Sequence, residues 1–126
     1  MREIIRDEGR LEHILEAIEK ALEFTENVNF DEFKTNVMCR YAVVKCIEIV
    51  GEASYKLTNE FRGKHPEIEW RKIIAMRHIL VHDYYQTEDT IIWNVVKDYL
   101  PLLKEQILKI QGSLYENSET AQTNSE

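Results

Sequence analysis

The sequence predicts an all-α protein, an antiparallel bundle of four main helices. Three observations point there. Apolar residues recur at three- and four-residue spacing along most of the chain. Gly and Pro number only four and two among 126 residues, too few for the many turns of an all-β fold. The hydrophobic share of 44% beside 31% charge is that of a soluble domain able to bury one core without staples.

Each helix has its own justification. Ile4, Leu11, Ile14, Leu15, Ile18 and Leu22 make an amphipathic helix of about twenty residues. Asn27–Phe30 interrupts it, and Asp31 is expected to cap a second helix with Glu32 in its first turn. That helix is expected to run unbroken from about Asp31 to Asn59. Phe33, Val37, Tyr41, Val43, Val44, Ile47, Ile49 and Val50 cover more than one of its faces, which makes it the central helix. Gly51 lies inside it and costs ~1 kcal/mol against Ala, which implies that another backbone packs close there. The stretch F-R-G-K-H-P-E-I-E-W reads as a connection, with Gly63 and Pro66 as breakers. A third helix runs from near Trp70 to near His82. Thr87-Glu-Asp opens a fourth, with Ile92, Val96, Tyr99, Leu103, Ile107 and Ile110 as its buried stripe. Pro101 should bend it, because it removes the bond to the Lys97 carbonyl. Residues 1–112 therefore read as one helical domain, and 113–126 as a polar tail expected to be irregular.

No apolar run approaches the ~20 residues needed to span a bilayer. The opening M-R-E-I-I-R-D-E has no signal-peptide core, so a cytoplasmic protein without membrane partners is expected. Cys39 and Cys46 lie seven apart on one helix, about 10 Å between Cα atoms. A disulfide needs less than ~7 Å, so the two read as small buried hydrophobes. No Cys/His spacing matches a zinc site, and no metal is expected. The net charge of −7 is unevenly spread: residues 33–82 hold nine bases and five acids, while the flanking segments are acidic. The basic middle permits an anionic ligand.

Within that middle stands M-R-H-I-L-V-H-D-Y-Y, Met76–Tyr85. At about 100° per residue, Ile73, Ile74, Leu80 and Val81 fall in one arc with Trp70, and Arg77 lies at its centre. A guanidinium so placed snorkels, pairs with a carboxylate, or lies in a cleft; Glu48 and Glu52 are the carboxylates within reach. His78 and His82, four apart, lie together beside the arc, and Tyr84 would share the face of Arg77 if the helix continued. Three readings fit these residues. One is structural: an Arg held by an ion pair beside polar histidines. Another is a metal site of His78, His82 and Asp83, which lacks the Glu of H-E-x-x-H and a clear third ligand. The third is acid–base work on a phosphodiester, with Arg77 neutralising phosphate and His82 moving the proton. RNA brings its own nucleophile in the 2′-hydroxyl, and two copies meeting across a two-fold axis would supply both base and acid.

The run Arg77-His-Ile-Leu-Val-His82-Asp-Tyr84 resembles the Arg-x4-His-x-Tyr pattern of HepT toxins, in the HEPN superfamily of ribonucleases. The segments Ile47–Ala53 (I-E-I-V-G-E-A), His65–Ile73, Ile91–Trp93 and Tyr99–Ile107 are similar to family positions as well, so the resemblance spans about residues 3 to 110. It implies a homodimer whose Arg77 and His82 line a cleft between subunits. It implies a metal-independent endoribonuclease of a type VII toxin–antitoxin system, leaving 2′,3′-cyclic phosphate ends and needing no cofactor. It also implies a cognate antitoxin, a minimal nucleotidyltransferase of the MntA type, that moves AMP from ATP to Tyr84. His78 stands where the family often has Asn and would support the phosphate contact; Tyr85 lies outside the spacing and reads as packing. Asn36 stands where many relatives carry Asp. The alternative implied by the resemblance is a non-catalytic helical partner, a substrate-binding subunit of such a nucleotidyltransferase. On the dimer reading, Arg77 would gain its partners only from the second copy.

Overall fold

The computed structural model describes residues 2–83 and 88–124, and every regular element among them is helical. Helix α1 (Arg2–Thr25) follows the expected periodicity: Leu11, Ile14, Ala17, Ile18 and Ala21 are buried along one stripe. It ends at Thr25, whose buried hydroxyl donates to the Ala21 carbonyl at 2.9 Å. Asn29, rather than Asp31, then caps α2 (Phe30–Thr35), its side chain accepting the Glu32 N–H at 2.9 Å.

The expected unbroken second helix is two helices. The chain is extended at Asn36, with ψ of 92°, and the Asn36 side chain accepts the Cys39 N–H at 3.0 Å to start α3 (Val37–Tyr55). A short amide side chain competes for free backbone donors and so favours a cap over a helix interior. A one-residue break of this kind leaves the apolar spacing on either side intact. The expected connection likewise contains a helix, α4 (Asn59–Lys64), capped by the Thr58 hydroxyl accepting the Phe61 N–H at 3.1 Å. Buried Asp7 holds Thr58 in turn, accepting its N–H at 2.9 Å and its hydroxyl at 2.7 Å.

Helix α5 (Trp70–Asp83) keeps the expected bounds. The Trp70 indole N–H donates to the His65 carbonyl at 3.0 Å, and Phe61 stacks obliquely against His65 with ring centres 4.6 Å apart. Helix α6 (Asp89–Asn94) passes through a π-helical turn, Val95–Tyr99, into α7 (Leu100–Asn124). The π turn is how the chain meets Pro101. The Leu100 N–H reaches back five residues to the Val95 carbonyl, and this wider ladder ends just where proline withdraws a donor. Gly112 has no positive φ, and α7 carries on through the segment expected to be irregular, with Leu114 packed against the core.

The helices run antiparallel. Asp7 and Thr58 join the start of α1 to the residues after α3, while at the other end the Cys39 thiol donates to the Phe24 carbonyl at 3.7 Å. Lys97 Nζ donates to the Thr25 carbonyl at 2.9 Å, whereas Lys104 lies 3.9 Å from Glu19, so α7 runs back along α1. Phe33, Val43, Val96, Leu103 and Ile107 are fully buried between these layers, and Trp93 lies over Phe33 at 5.2 Å between ring centres. Cys39 and Cys46 are buried free thiols, and burial raises the pKa of both. No helix among the described residues is long and apolar enough to cross a membrane.

Gly51 sets the spacing of α3 and α5. A Cβ there would overlap the Cβ of Arg77 and lie 3.1 Å from the Ile73 carbonyl oxygen. Both obstacles belong to the α5 backbone or are fixed to it, so no rotamer change clears them. Gly51→Ala should therefore destabilise the protein by about 1–3 kcal/mol as an overpacked site. Gly9→Ala, whose new Cβ would meet nothing within 4 Å, should stabilise it by about 0.5–1 kcal/mol. Urea unfolding of the two variants checks both signs.

Candidate functional site

The site is built on the contact between α3 and α5. Ile73 and Leu80 of α5 are buried at 4% and 2% exposure, and Arg77 lies between them in sequence, above Gly51. The residue after that glycine is Glu52, and its Oε2 lies 2.7 Å from Arg77 Nη2. The second carboxylate oxygen, Oε1, faces Lys56 Nζ at 3.4 Å. Glu48, the other carboxylate within reach by sequence, faces Lys45 at 3.8 Å instead.

The charge in the apolar stripe thus has an intramolecular answer. The expectation that Arg77 finds partners only in a second copy does not hold, since Glu52 of the same chain already holds it. The Arg77 and Glu52 side chains are 34% and 41% exposed. A pair this open to water contributes under about 1 kcal/mol to stability. Its effect is orientation: one edge of the guanidinium is fixed, and a planar group with five donors keeps others for an anion. Lys56 as the second cation on Glu52 was not singled out from the sequence, although Glu52 and Lys56 have the i, i+4 spacing of a helical ion pair.

His78 is exposed on α5, one residue beyond Arg77. His82 occupies the same helix one turn later, in the final residues of α5. Residues four apart share a helix face, so the backbone places the two histidines on one row. The side chains of His82 and Asp83, and all of Tyr84 and Tyr85, lie outside the described residues. The metal set of His78, His82 and Asp83 therefore rests on two side chains beyond description. Among the described residues, no group of three His, Cys, Asp or Glu side chains converges as a metal site would. Tyr99 is half buried and its phenol is pushed up to about 12, mainly by desolvation and secondarily by Glu69, which keeps it neutral and out of acid–base chemistry at ordinary pH.

Comparison with known proteins gives this arrangement a context. Residues 14–110 match the family model described as Ribonuclease HepT-like. A Methanocaldococcus jannaschii protein named "Putative RNase MJ1380" is 38% identical over 94 residues, covering 75% of this chain and 86% of its own. A Thermococcus cleftensis protein named "Probable ribonuclease HepT" is 40% identical over 101 residues, covering 80% and 92%. A longer M. jannaschii protein named "Gamma-glutamylcyclotransferase and putative RNase MJ0434" is 43% identical over 107 residues, 85% of this chain and 48% of that one. No solved structure matches the chain significantly. With a helical bundle that seats Arg77 five residues before His82, and a family match across most of its length, the chain belongs to the HepT-like ribonuclease family.

Proposed function

We propose that this chain is a metal-independent endoribonuclease, the toxin of a type VII toxin–antitoxin pair, acting as a homodimer. The observation that supports it best is Arg77, held from behind by Glu52 at 2.7 Å on the helix that also carries His82. A phosphate-binding guanidinium fixed in advance loses little freedom when its anion arrives. In the reaction, the RNA 2′-hydroxyl attacks its own phosphorus. One His82 takes the hydroxyl proton, the His82 of the second copy donates a proton to the departing 5′-oxygen, and a 2′,3′-cyclic phosphate remains. Arg77 neutralises the charge that builds on the phosphoryl oxygens, and exposed His78 adds a donor at the same edge. The 2′-hydroxyl is the nucleophile, so neither metal nor cofactor is required.

Neutralisation relies on the same geometry. A minimal nucleotidyltransferase of the MntA type would transfer AMP from ATP to the Tyr84 oxygen, with pyrophosphate leaving. The new phosphate competes with RNA for Arg77 and the adenosine fills the cleft.

Cleavage of bulk RNA in excess EDTA, with end-group analysis of the products, tests the catalytic reading. Wild type should cut and leave cyclic phosphate ends. His82→Ala should lose about 100-fold or more of the rate while keeping its helical circular dichroism and its dimer mass by light scattering. Absence of cleavage by wild type, with AMP still accepted at Tyr84, would favour the non-catalytic partner of a nucleotidyltransferase instead. Glu52→Gln should change stability by under about 1 kcal/mol yet lower kcat/KM by about ten-fold, because the guanidinium is no longer held in place. Tyr84→Phe should still cut RNA but gain no AMP mass when offered ATP, magnesium and the nucleotidyltransferase. An AMP adduct on that variant would move the acceptor elsewhere, with Tyr85 first in line.

A further inference from the structure

An open groove of about 600 Å³ lies where the end of α3, the short α4 and the first half of α5 meet. Tyr55, Arg62, Arg71, Ile74 and Ala75 are among its walls. Tyr55 ends α3 and is 59% exposed, an aromatic residue open to a planar ligand.

The charges around the groove divide into two kinds. The lysines nearby are paired with carboxylates of their own helix or turn: Lys64 with Glu60 at 3.1 Å and Lys72 with Glu69 at 3.2 Å, while Lys56, 3.4 Å from Glu52, shares that carboxylate with Arg77. The two arginines that line the groove are not. Arg62 is held by the neutral Asn59 side-chain oxygen at 2.5 Å, and Arg71 has no hydrogen-bond or ion-pair partner among the described residues. Two uncompensated guanidiniums from different helices thus flank one concave surface beside an exposed phenol ring. A second copy of the same surface would bring like charges together, so a self-complementary seam is disfavoured. Phosphates with a stackable base suit it.

The groove also has a direction. Arg71, Ala75, His78 and His82 recur on α5 at spacings of four, three and four, and so form one row along the helix. Arg71 and His78 are seven residues apart, about 10 Å along the axis. A strand lying in the groove is led toward the edge that carries Arg77 and His78. We propose that this groove is a binding subsite for single-stranded RNA flanking the cleaved phosphate, with Arg62 and Arg71 on backbone phosphates and Tyr55 under a base. The proposal rests on the ribonuclease reading and adds to it a place where RNA is held away from the reacting bond.

The test uses the full-length His82→Ala chain, which should hold RNA without cutting it, and fluorescence anisotropy of a labelled single-stranded RNA across a salt series. Adding Arg62→Gln and Arg71→Gln together should weaken binding at least ten-fold. It should also flatten the slope of log affinity against log salt by about 0.7 for each lost phosphate contact. Tyr55→Ala should weaken binding about ten-fold, and Tyr55→Phe should restore it. Unchanged affinity and slope in the double-arginine variant, with RNA still bound, would overturn the groove and leave the ribonuclease reading standing. RNA neither bound by His82→Ala nor cut by wild type would overturn both. A change of oligomer mass in the arginine variants would assign the groove to contact between copies and overturn its assignment to RNA.

Discussion

The approach of α3 to α5 at Gly51 is the constraint on which the rest depends. With hydrogen in place of a side chain, the Arg77 Cβ and the Ile73 carbonyl of α5 come into direct contact with the α3 backbone. Two consequences come from one small residue. Buried Ile73 and Leu80 reach the core from α5, and the carboxylate one residue past the glycine is brought within 2.7 Å of the guanidinium. The packing gain is hydrophobic and non-directional, whereas the ion pair is directional and weak in energy. Each supplies what the other lacks: apolar burial holds the helices together, and the carboxylate decides where the arginine points.

Local backbone chemistry decides where the helices begin and end. Asn29, Asn36 and Thr58 each accept an N–H three residues on, giving a free donor its partner. Asp7 extends this from local to global. By holding Thr58 at both N–H and hydroxyl, it ties the first turns of α1 to the start of α4, and with it the wall that α4 presents beside α5. The position of Arg62 therefore depends on a carboxylate 55 positions earlier in the chain.

Much of this was legible in the sequence, and the parts that were not share a cause. The long helices announced themselves through apolar spacing, and the bounds of α5 needed no correction. Gly51 was readable as a close approach because a glycine inside a helix is otherwise costly, and Glu52 was one of two candidate partners for Arg77. The split at Asn36 and the helix Asn59–Lys64 were missed. Both depend on single capping residues, and a cap leaves no period in the pattern. The π turn was not foreseen; Pro101 pointed only to a bend. The groove was illegible for a different reason: its walls come from three elements whose meeting depends on α4, an element the pattern did not reveal. Of the site itself, Arg77 stood out as a charge in an apolar arc, while the surroundings of the His82 side chain and Tyr84 are not set by spacing.

The π turn between α6 and α7 changes the phase of the helix. Val95–Tyr99 holds one residue more than an α-helical turn would accommodate, so the residues after it stand one position, about 100°, out of step with the α-helical phase of those before it. Before the turn, Trp93 faces Phe30 and Phe33; after it, Leu103 and Ile107 are fully buried and Lys104 reaches α1. The two halves thus address different neighbours although the helix runs on without a loop. In evolutionary terms, the turn is where a single inserted codon can be absorbed by a helix without disturbing either partner. Loss of one residue there would return the ladder to α register and leave the buried row of α7 facing the core, because the turn is what holds the extra residue.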